Sequence, residues 1–207
     1  MLFEKIAEYL EERRGEFDRI ESERSRRLLP IADLIRMDIR NRRRPQLLFV
    51  CTHNSRRSHI AQLWTAAAAV DLALPLDTWS GGTEATEFDH RAVAALRRAG
   101  FAIETAGDRP NDGYMVGFDS SIEPVRCFSK VHDRPPNPMK DFIAVMVCDE
   151  ADRGCPHIDG ASERFGIPYR DPKLADDTPE ETSTYDERCR DVAREMLWMI
   201  EQAAASS

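Results

Sequence analysis

The chain has 207 residues, 42% of them hydrophobic and 32% charged, with 10 glycines and 12 prolines. That balance suits one folded domain with room for an extension, and it excludes collagen-like, low-complexity and wholly disordered chains. A formal net charge of −8 excludes the basic footprint of a general nucleic-acid binder, and no apolar run approaches the roughly 18–20 residues that cross a bilayer.

At the start of the chain Glu4, Glu8, Glu11 and Glu12 arrive without an apolar stretch, so no secretory signal is expected. The five cysteines are then expected as reduced thiols in a cytoplasm, acting, where they act, by redox or nucleophilic chemistry. Phe3, Ile6, Tyr9 and Leu10, then Phe17 and Ile20, then Ile31, Leu34 and Ile35 fall at helical spacing among charges. The spacing predicts two or three amphipathic helices broken at Gly15 and Pro30, ending in Arg40, Arg42, Arg43 and Arg44 before Pro45. Those arginines suit a solvated helix end beside the C-terminal dipole better than a dock for an acidic partner. Residues 1–45 thus form a helical extension, and residues 46–207 the main domain.

From Gln46 the pattern alternates. Leu47–Val50 is a continuous apolar run, as in a parallel strand buried on both faces. Ser58–Val70 predicts an alanine-rich helix, Asp77–Ser80 a weaker strand, and Gly81-Gly82 a turn. Asp89–Ala99 predicts a helix with Asp89 as N-cap and Gly100 as its stop. Residues 107–140 interrupt the alternation as an excursion, in which Tyr114–Val116 and Val125–Phe128 suit a hairpin. Phe142–Val147 is the strongest strand, Phe165–Tyr169 an edge strand because of Pro168, and Glu181–Ala203 a long closing helix. The order predicts an α/β fold: a four-stranded parallel doubly wound sheet with helices on both faces, binding ligands beyond the carboxyl ends of its strands.

Cys51-Thr52-His53-Asn54-Ser55-Arg56-Arg57-Ser58 sits where the first strand meets a helix N-terminus. Free amides and the helix dipole favour an oxyanion there, and a cysteine below such a nest is expected to be a nucleophilic thiolate. Arg57, six positions on, can close over two oxygens of a tetrahedral anion. Ser58 can give a hydroxyl hydrogen bond to the sulfur. Asn54 suits a left-handed residue or an amide that ties the loop. Packing alone would account for a lone cysteine after a strand; cysteine, five residues, arginine and serine at this junction favour function.

Cys51–Ser58 with Ala61 resembles the phosphate-binding loop of the low-molecular-weight protein tyrosine phosphatase superfamily. Ser80-Gly81-Gly82-Thr83-Glu84-Ala85 is similar to the segment after that family's second strand, and Asp171-Pro172 to its general-acid Asp-Pro. The resemblance runs from about Gln46 to Met199 and leaves the extension aside. It implies a family loop of Thr52, His53, Asn54, Ser55, Arg56, Arg57 and Ser58 around substrate, with Asp171 giving a proton to the oxygen that leaves. His53 stands where the family has glycine, Arg56 where it has cysteine or a small residue, and Gln62 where an acidic residue is frequent. Lys173-Leu174-Ala175 replaces the aromatic pair that walls a phosphotyrosine cleft.

Cys148 and Cys155 have six residues between them, too many for a usual structural zinc pair, and no second pair is seen, so no metal is expected. His157 suits the surface, and Cys127 and Cys189 suit packing. The three remaining thiols are similar to those of the superfamily's thioredoxin-coupled arsenate reductases. That resemblance implies a relay: Cys51 attacks arsenate, Cys148 attacks Cys51, Cys155 resolves the disulfide, and thioredoxin (or glutaredoxin) reduces the Cys148–Cys155 bond, with no bound cofactor. A phosphatase using only Cys51, Arg57 and Asp171 remains the alternative, and a non-catalytic oxyanion or thiol sensor a third reading.

Overall fold

The structure is a computed structural model and describes residues 1–109, 111–155 and 157–205. Helix α1 spans Glu4–Arg14 and ends at Gly15; α2 spans Ser22–Arg40. Pro30 does not break the extension, contrary to expectation, but lies inside α2. An interior proline costs about 3 kcal/mol. Full burial of Leu28, Ile31 and Ile35 on the same helix, at about 1.5–3 kcal/mol each, offsets that cost. The break expected at Gly15 is present, and residues 15–21 between the two helices carry a short 3-10 turn at Phe17–Arg19. Arg43 and Arg44 at the basic end pair with Asp38 and Asp77.

The main domain runs β1 (Gln46–Cys51), α3 (Arg57–Asp71), β2 (Asp77–Gly82) and α4 (His90–Ala99), then β3 (Ala102–Thr105), β4 (Tyr114–Gly117) and β5 (Val125–Cys127). It continues with β6 (Phe142–Met146), α5 (Asp149–Gly154), β7 (Ala161–Gly166) and α6 (Glu181–Ala204). Strands β2-β1-β6-β7, in that order, form one parallel sheet. As expected, Asp89 caps α4 by accepting from the Arg91 and Ala92 amides, and Gly100 stops it at φ +116°.

Two expectations need correcting, and a third, the hairpin, is borne out and extended. Gly81 and Gly82 are not a turn but the last two residues of β2, paired with Val50 and Cys51. A Cβ on Gly81 would lie 2.5 Å from His132 Cα, and one on Gly82 2.7 Å from Thr52 O, so glycine lets neighbouring backbone close on this strand end. The last strand is Ala161–Gly166 rather than Phe165–Tyr169. It is an edge strand, and its polar side chains hid it from a hydrophobic reading. Ile167 N and Tyr169 N still donate to Met146 O (2.9 Å) and Val147 O (3.1 Å), so the chain stays tied to β6 across Pro168. Finally, the excursion holds the hairpin β4–β5 together with β3 in a separate three-stranded antiparallel sheet.

Successive residues of a strand face opposite ways. Ser80 Oγ meets His59 Nδ1 of α3 at 3.1 Å, while Gly81 backs onto His132 and Asn137. Helix α6 packs against α1, α2, α3 and α4. Tyr9 stacks on Trp64 at 4.8 Å, and Trp64 meets the edge of Phe101 at 4.8 Å. Ile6, Leu10, Leu28 and Ile35 of the extension therefore belong to the same core as β1, β6 and α6. Among the described residues no helix is long and apolar enough to cross a membrane.

This shared core yields a stability prediction. Replacing Ile35, fully buried in α2, with alanine should cost about 2–5 kcal/mol in urea unfolding followed by tryptophan fluorescence, with one transition retained. A main transition left in place would contradict the shared core.

Candidate active site

Strand β1 delivers Cys51, 3% exposed, to the start of the loop. Outward bonds hold the carbonyls that follow. Cys51 O accepts from Thr83 N (3.1 Å), Thr52 O from Glu84 N (2.8 Å), His53 O from Ser129 Oγ (2.8 Å) and Ser55 O from Asp89 N (3.0 Å). Thr83 Oγ1 and Thr86 Oγ1 add second bonds to Thr52 O and His53 O. In a trans peptide the N–H points opposite to the C=O. The amides of Thr52, His53, Asn54 and Arg56 therefore turn to the inner side of the loop. Asn54, at φ +44° and fully buried, makes the left-handed bend.

The same asparagine organises the sulfur. Its Oδ1 accepts from Lys130 N (3.0 Å), which orients the amide so that Nδ2 donates to Ser58 Oγ (2.9 Å). Ser58 Oγ lies 3.1 Å from Cys51 Sγ. With Asn54 donating to that oxygen, the hydroxyl hydrogen is left for the sulfur. Behind the loop, burial and then the Lys130 charge hold His59 well below the usual histidine range, so its ring is neutral. Burial lowers Lys130 itself to about 8.

Arg57, 7% exposed, donates from Nη1 to Tyr169 O (2.9 Å) and from Nη2 to Asp171 Oδ2 (2.6 Å). Asp171 Oδ1 also accepts from Lys173 N at 3.1 Å, capping the 3-10 turn Pro172–Ala175. The guanidinium and the carboxylate expected to act on substrate are thus brought together. Arg56 points elsewhere: its Nε donates to Tyr185 OH (3.0 Å) and Nη2 to Asp89 Oδ2 (3.0 Å). Its charge secures α4 and α6 to the loop. His53 is half-exposed, 3.7 Å from Glu84, and Ser55 is buried.

Cys148 lies two residues beyond β6 and caps α5, accepting from Ala151 N at 3.4 Å. Its Sγ lies 3.4 Å from Thr52 Oγ1, so it touches the loop next to Cys51. Burial pushes its thiol above the usual cysteine value, opposed by the Thr52 and Ala151 hydrogen bonds and the Arg57 charge. Cys155 follows the C-terminal end of α5 and is partly exposed; all five cysteines are free thiols. Seven residues of helical rise separate Cys148 from Cys155, about 10 Å at 1.5 Å per residue. A disulfide needs Cα atoms within about 7 Å, so joining them requires α5 to unwind. Arg164 staples that helix through Asp152 Oδ1 (2.7 Å) and Cys155 O (2.9 Å).

Several groups that build this site carry no local signal in the sequence. Lys130 and Ser129 come from the loop after β5 and touch Asn54 and His53 across more than seventy residues. Cys127 and Cys189 are buried, and burial raises both to about 12, as suits packing. His157 is exposed beside Asp159, and no cluster of three or more metal-ligand side chains occurs among the described residues.

Two measurements check this geometry. Gly82→Ala should cost about 1–3 kcal/mol of stability and abolish calorimetric binding of phosphate, because its Cβ would press on Thr52 O and Asn54 N; unchanged binding would contradict the loop geometry. A thiol with a raised pKa is neutral at pH 7 and ionises only at higher pH. Alkylation of Cys148 should therefore still be climbing, about tenfold per unit, beyond pH 8.5; a plateau at pH 8 would contradict it.

No family model and no curated protein sequence matches the chain. Among solved structures, a low-molecular-weight phosphotyrosine phosphatase from Vibrio cholerae O395 aligns over 76% of this chain and 94% of its own, at 14% identity and TM-score 0.48. A low-molecular-weight protein tyrosine phosphatase from T. tengcongensis aligns over 76% and 96%, at 19% identity and TM-score 0.46. An arsenate reductase in a phosphate-binding state aligns over 77% and 96%, at 17% identity and TM-score 0.45. Likeness at this level leaves the chemistry to be argued from the loop itself.

Proposed function

We propose that the protein is an enzyme of tetrahedral oxyanions that reduces arsenate to arsenite with three of its own thiols. The observation that supports this reading is the contact of Cys148 Sγ with Thr52 Oγ1 at 3.4 Å, which sets a second thiol on the loop that holds the first. A phosphatase has no use for it, because hydrolysis transfers no electrons. The exposed Leu174 after Asp171-Pro172 offers no aromatic wall for a phenyl ring.

The reading assigns the following steps. Arsenate enters the loop, and Arg57 exchanges its bond to Asp171 for two substrate oxygens. The Cys51 thiolate attacks arsenic, and the released Asp171 carboxylate takes a proton from one hydroxyl of dihydrogen arsenate and passes it to the oxygen that leaves as water. Cys148 gives its proton to an arsenic-bound oxygen and, as thiolate, attacks Cys51 sulfur. The S–As bond breaks with its electron pair on arsenic, which leaves as arsenite, and the two thiols become a Cys51–Cys148 disulfide. Unwinding of α5 brings Cys155 to Cys148, frees the Cys51 thiolate and leaves a Cys148–Cys155 disulfide. Thioredoxin, or glutaredoxin, supplies the two electrons that reopen it. The relay needs no bound cofactor, and free cysteines suit a reducing cytoplasm.

One observation favours a second reading, phosphoester hydrolysis through a Cys51 phosphocysteine. Helix α5 is folded and stapled, and Cys148 is held neutral, so the resting site presents only Cys51, Arg57 and Asp171.

Mass spectrometry of alkylated protein after a single turnover with arsenate separates the two. The reductase reading predicts a Cys148–Cys155 disulfide, and a Cys51–Cys148 disulfide in Cys155→Ser. Three alkylated thiols after exposure to arsenate, with hydrolysis of p-nitrophenyl phosphate untouched by Cys148→Ser and Cys155→Ser, would favour the phosphatase.

A further inference from the structure

Asp171 has few attachments of its own: the bond from Arg57 and the one from Lys173 N, with the Arg56 guanidinium 4.0 Å away. The segment that carries it leaves β7 at Gly166, stays tied to β6 through the backbone amides of Ile167 and Tyr169, and takes its side-chain hold from elsewhere. That hold comes from the extension. Arg24, on α2, donates from Nη1 to Pro168 O at 3.0 Å, and its guanidinium lies 4.7 Å over the Tyr169 ring. Its Nε and Nη2 fork onto Glu195 of α6 at 3.1 and 2.5 Å. Tyr169 OH donates to the same carboxylate at 2.6 Å. Burial, reinforced by Glu195, keeps that hydroxyl protonated by pushing its pKa far up. Tyr169 O in turn accepts from Arg57.

These bonds make a continuous path from α2 to the site. Glu195, 6% exposed, and Tyr169, 5% exposed, are shut away from water, and Arg24 satisfies both while gripping the carbonyl between them. A bidentate fork plus a third donor on one rigid plane fixes direction as well as distance. We infer that Arg24, with Glu195 and Tyr169, is a positioning residue for Asp171, which makes the N-terminal extension a working part of the active site. The inference rests on the acid role proposed for Asp171, and it touches no substrate atom directly.

The test is a mutant cycle on the full chain. Steady-state kcat and KM are measured with arsenate, coupled to thioredoxin, its reductase and NADPH, and with p-nitrophenyl phosphate. The variants are Arg24→Met/Glu195→Leu, which removes both charges together so that neither is left buried alone, Asp171→Asn, and the three changes combined. A displaced acid should lower kcat about ten- to a hundredfold with KM held within about threefold. In the Asp171→Asn background the same pair of changes should lower kcat by less than about twofold, because the group being positioned is already gone. Arg24→Lys keeps the charge beside Glu195 but loses the fork, and it carries the same comparison if the double variant does not fold.

Losses that multiply in the combined variant would overturn the inference, as would an unchanged kcat in Arg24→Met/Glu195→Leu or a rise confined to KM. Turnover of p-nitrophenyl phosphate but not arsenate would remove the reductase reading and leave the cycle to be read on the phosphoester. No turnover of either substrate by the wild type, or a kcat indifferent to Asp171→Asn, would remove the acid role and this inference with it.

Discussion

The outward pull on the carbonyls of Cys51, Thr52, His53 and Ser55 lines the inner side of the loop with free amide donors, an arrangement that suits negative charge. Peptide planes cannot show an amide and a carbonyl to the same side, so each outward bond commits one N–H to the interior. The donors that do this come from the stretch after β2, from the loop after β5 and from the start of α4. Close approach at Gly82 and the left-handed Asn54 are what let those segments meet. The row of inward amides is thus a property of four chain segments, set by the fold itself.

The resting arrangement is closed on itself. Arg57 is neutralised by Asp171, and Cys148 is buried at the cap of a folded α5. An incoming dianion would compete for the guanidinium and release the carboxylate, so binding and freeing the acid become one event. The proposed thiol relay would meet its own barrier, the unwinding of a six-residue helix. Short helices are marginal on their own, and Gly154, with open space around it, sits at the end that has to move. Its hold is the Arg164 staple to Asp152 and Cys155, so the relay would carry a loop that is stable at rest and cheap to undo.

How far the sequence revealed this depends on where each piece of information lies. β1, α3, α4, β6 and α6 are long or strongly patterned, and Asp89 and Gly100 punctuate one of them, so local chemistry suffices. β3, β4 and β5 are three or four residues long and exist through pairing with each other, which no window along the chain contains. Pro30 misled because the burial that carries α2 through it comes from α6, far along the chain. Cys51, Asn54, Arg57 and Ser58 sit in one loop and could be read together. Lys130, Ser129 and Arg24 reach the site only through the fold, as do Tyr185 and Asp89, which nothing local announces as partners of the Arg56 side chain.

The most direct measurement is the rate at which iodoacetamide modifies Cys51 at neutral pH, followed by peptide mass spectrometry with increasing arsenate or phosphate. An anion seated on the loop amides covers the sulfur, so the rate should fall saturably with either oxyanion and stay unchanged with chloride at equal ionic strength. A Cys51 that is modified at the same rate whatever oxyanion is present would mean that the loop does not bind one.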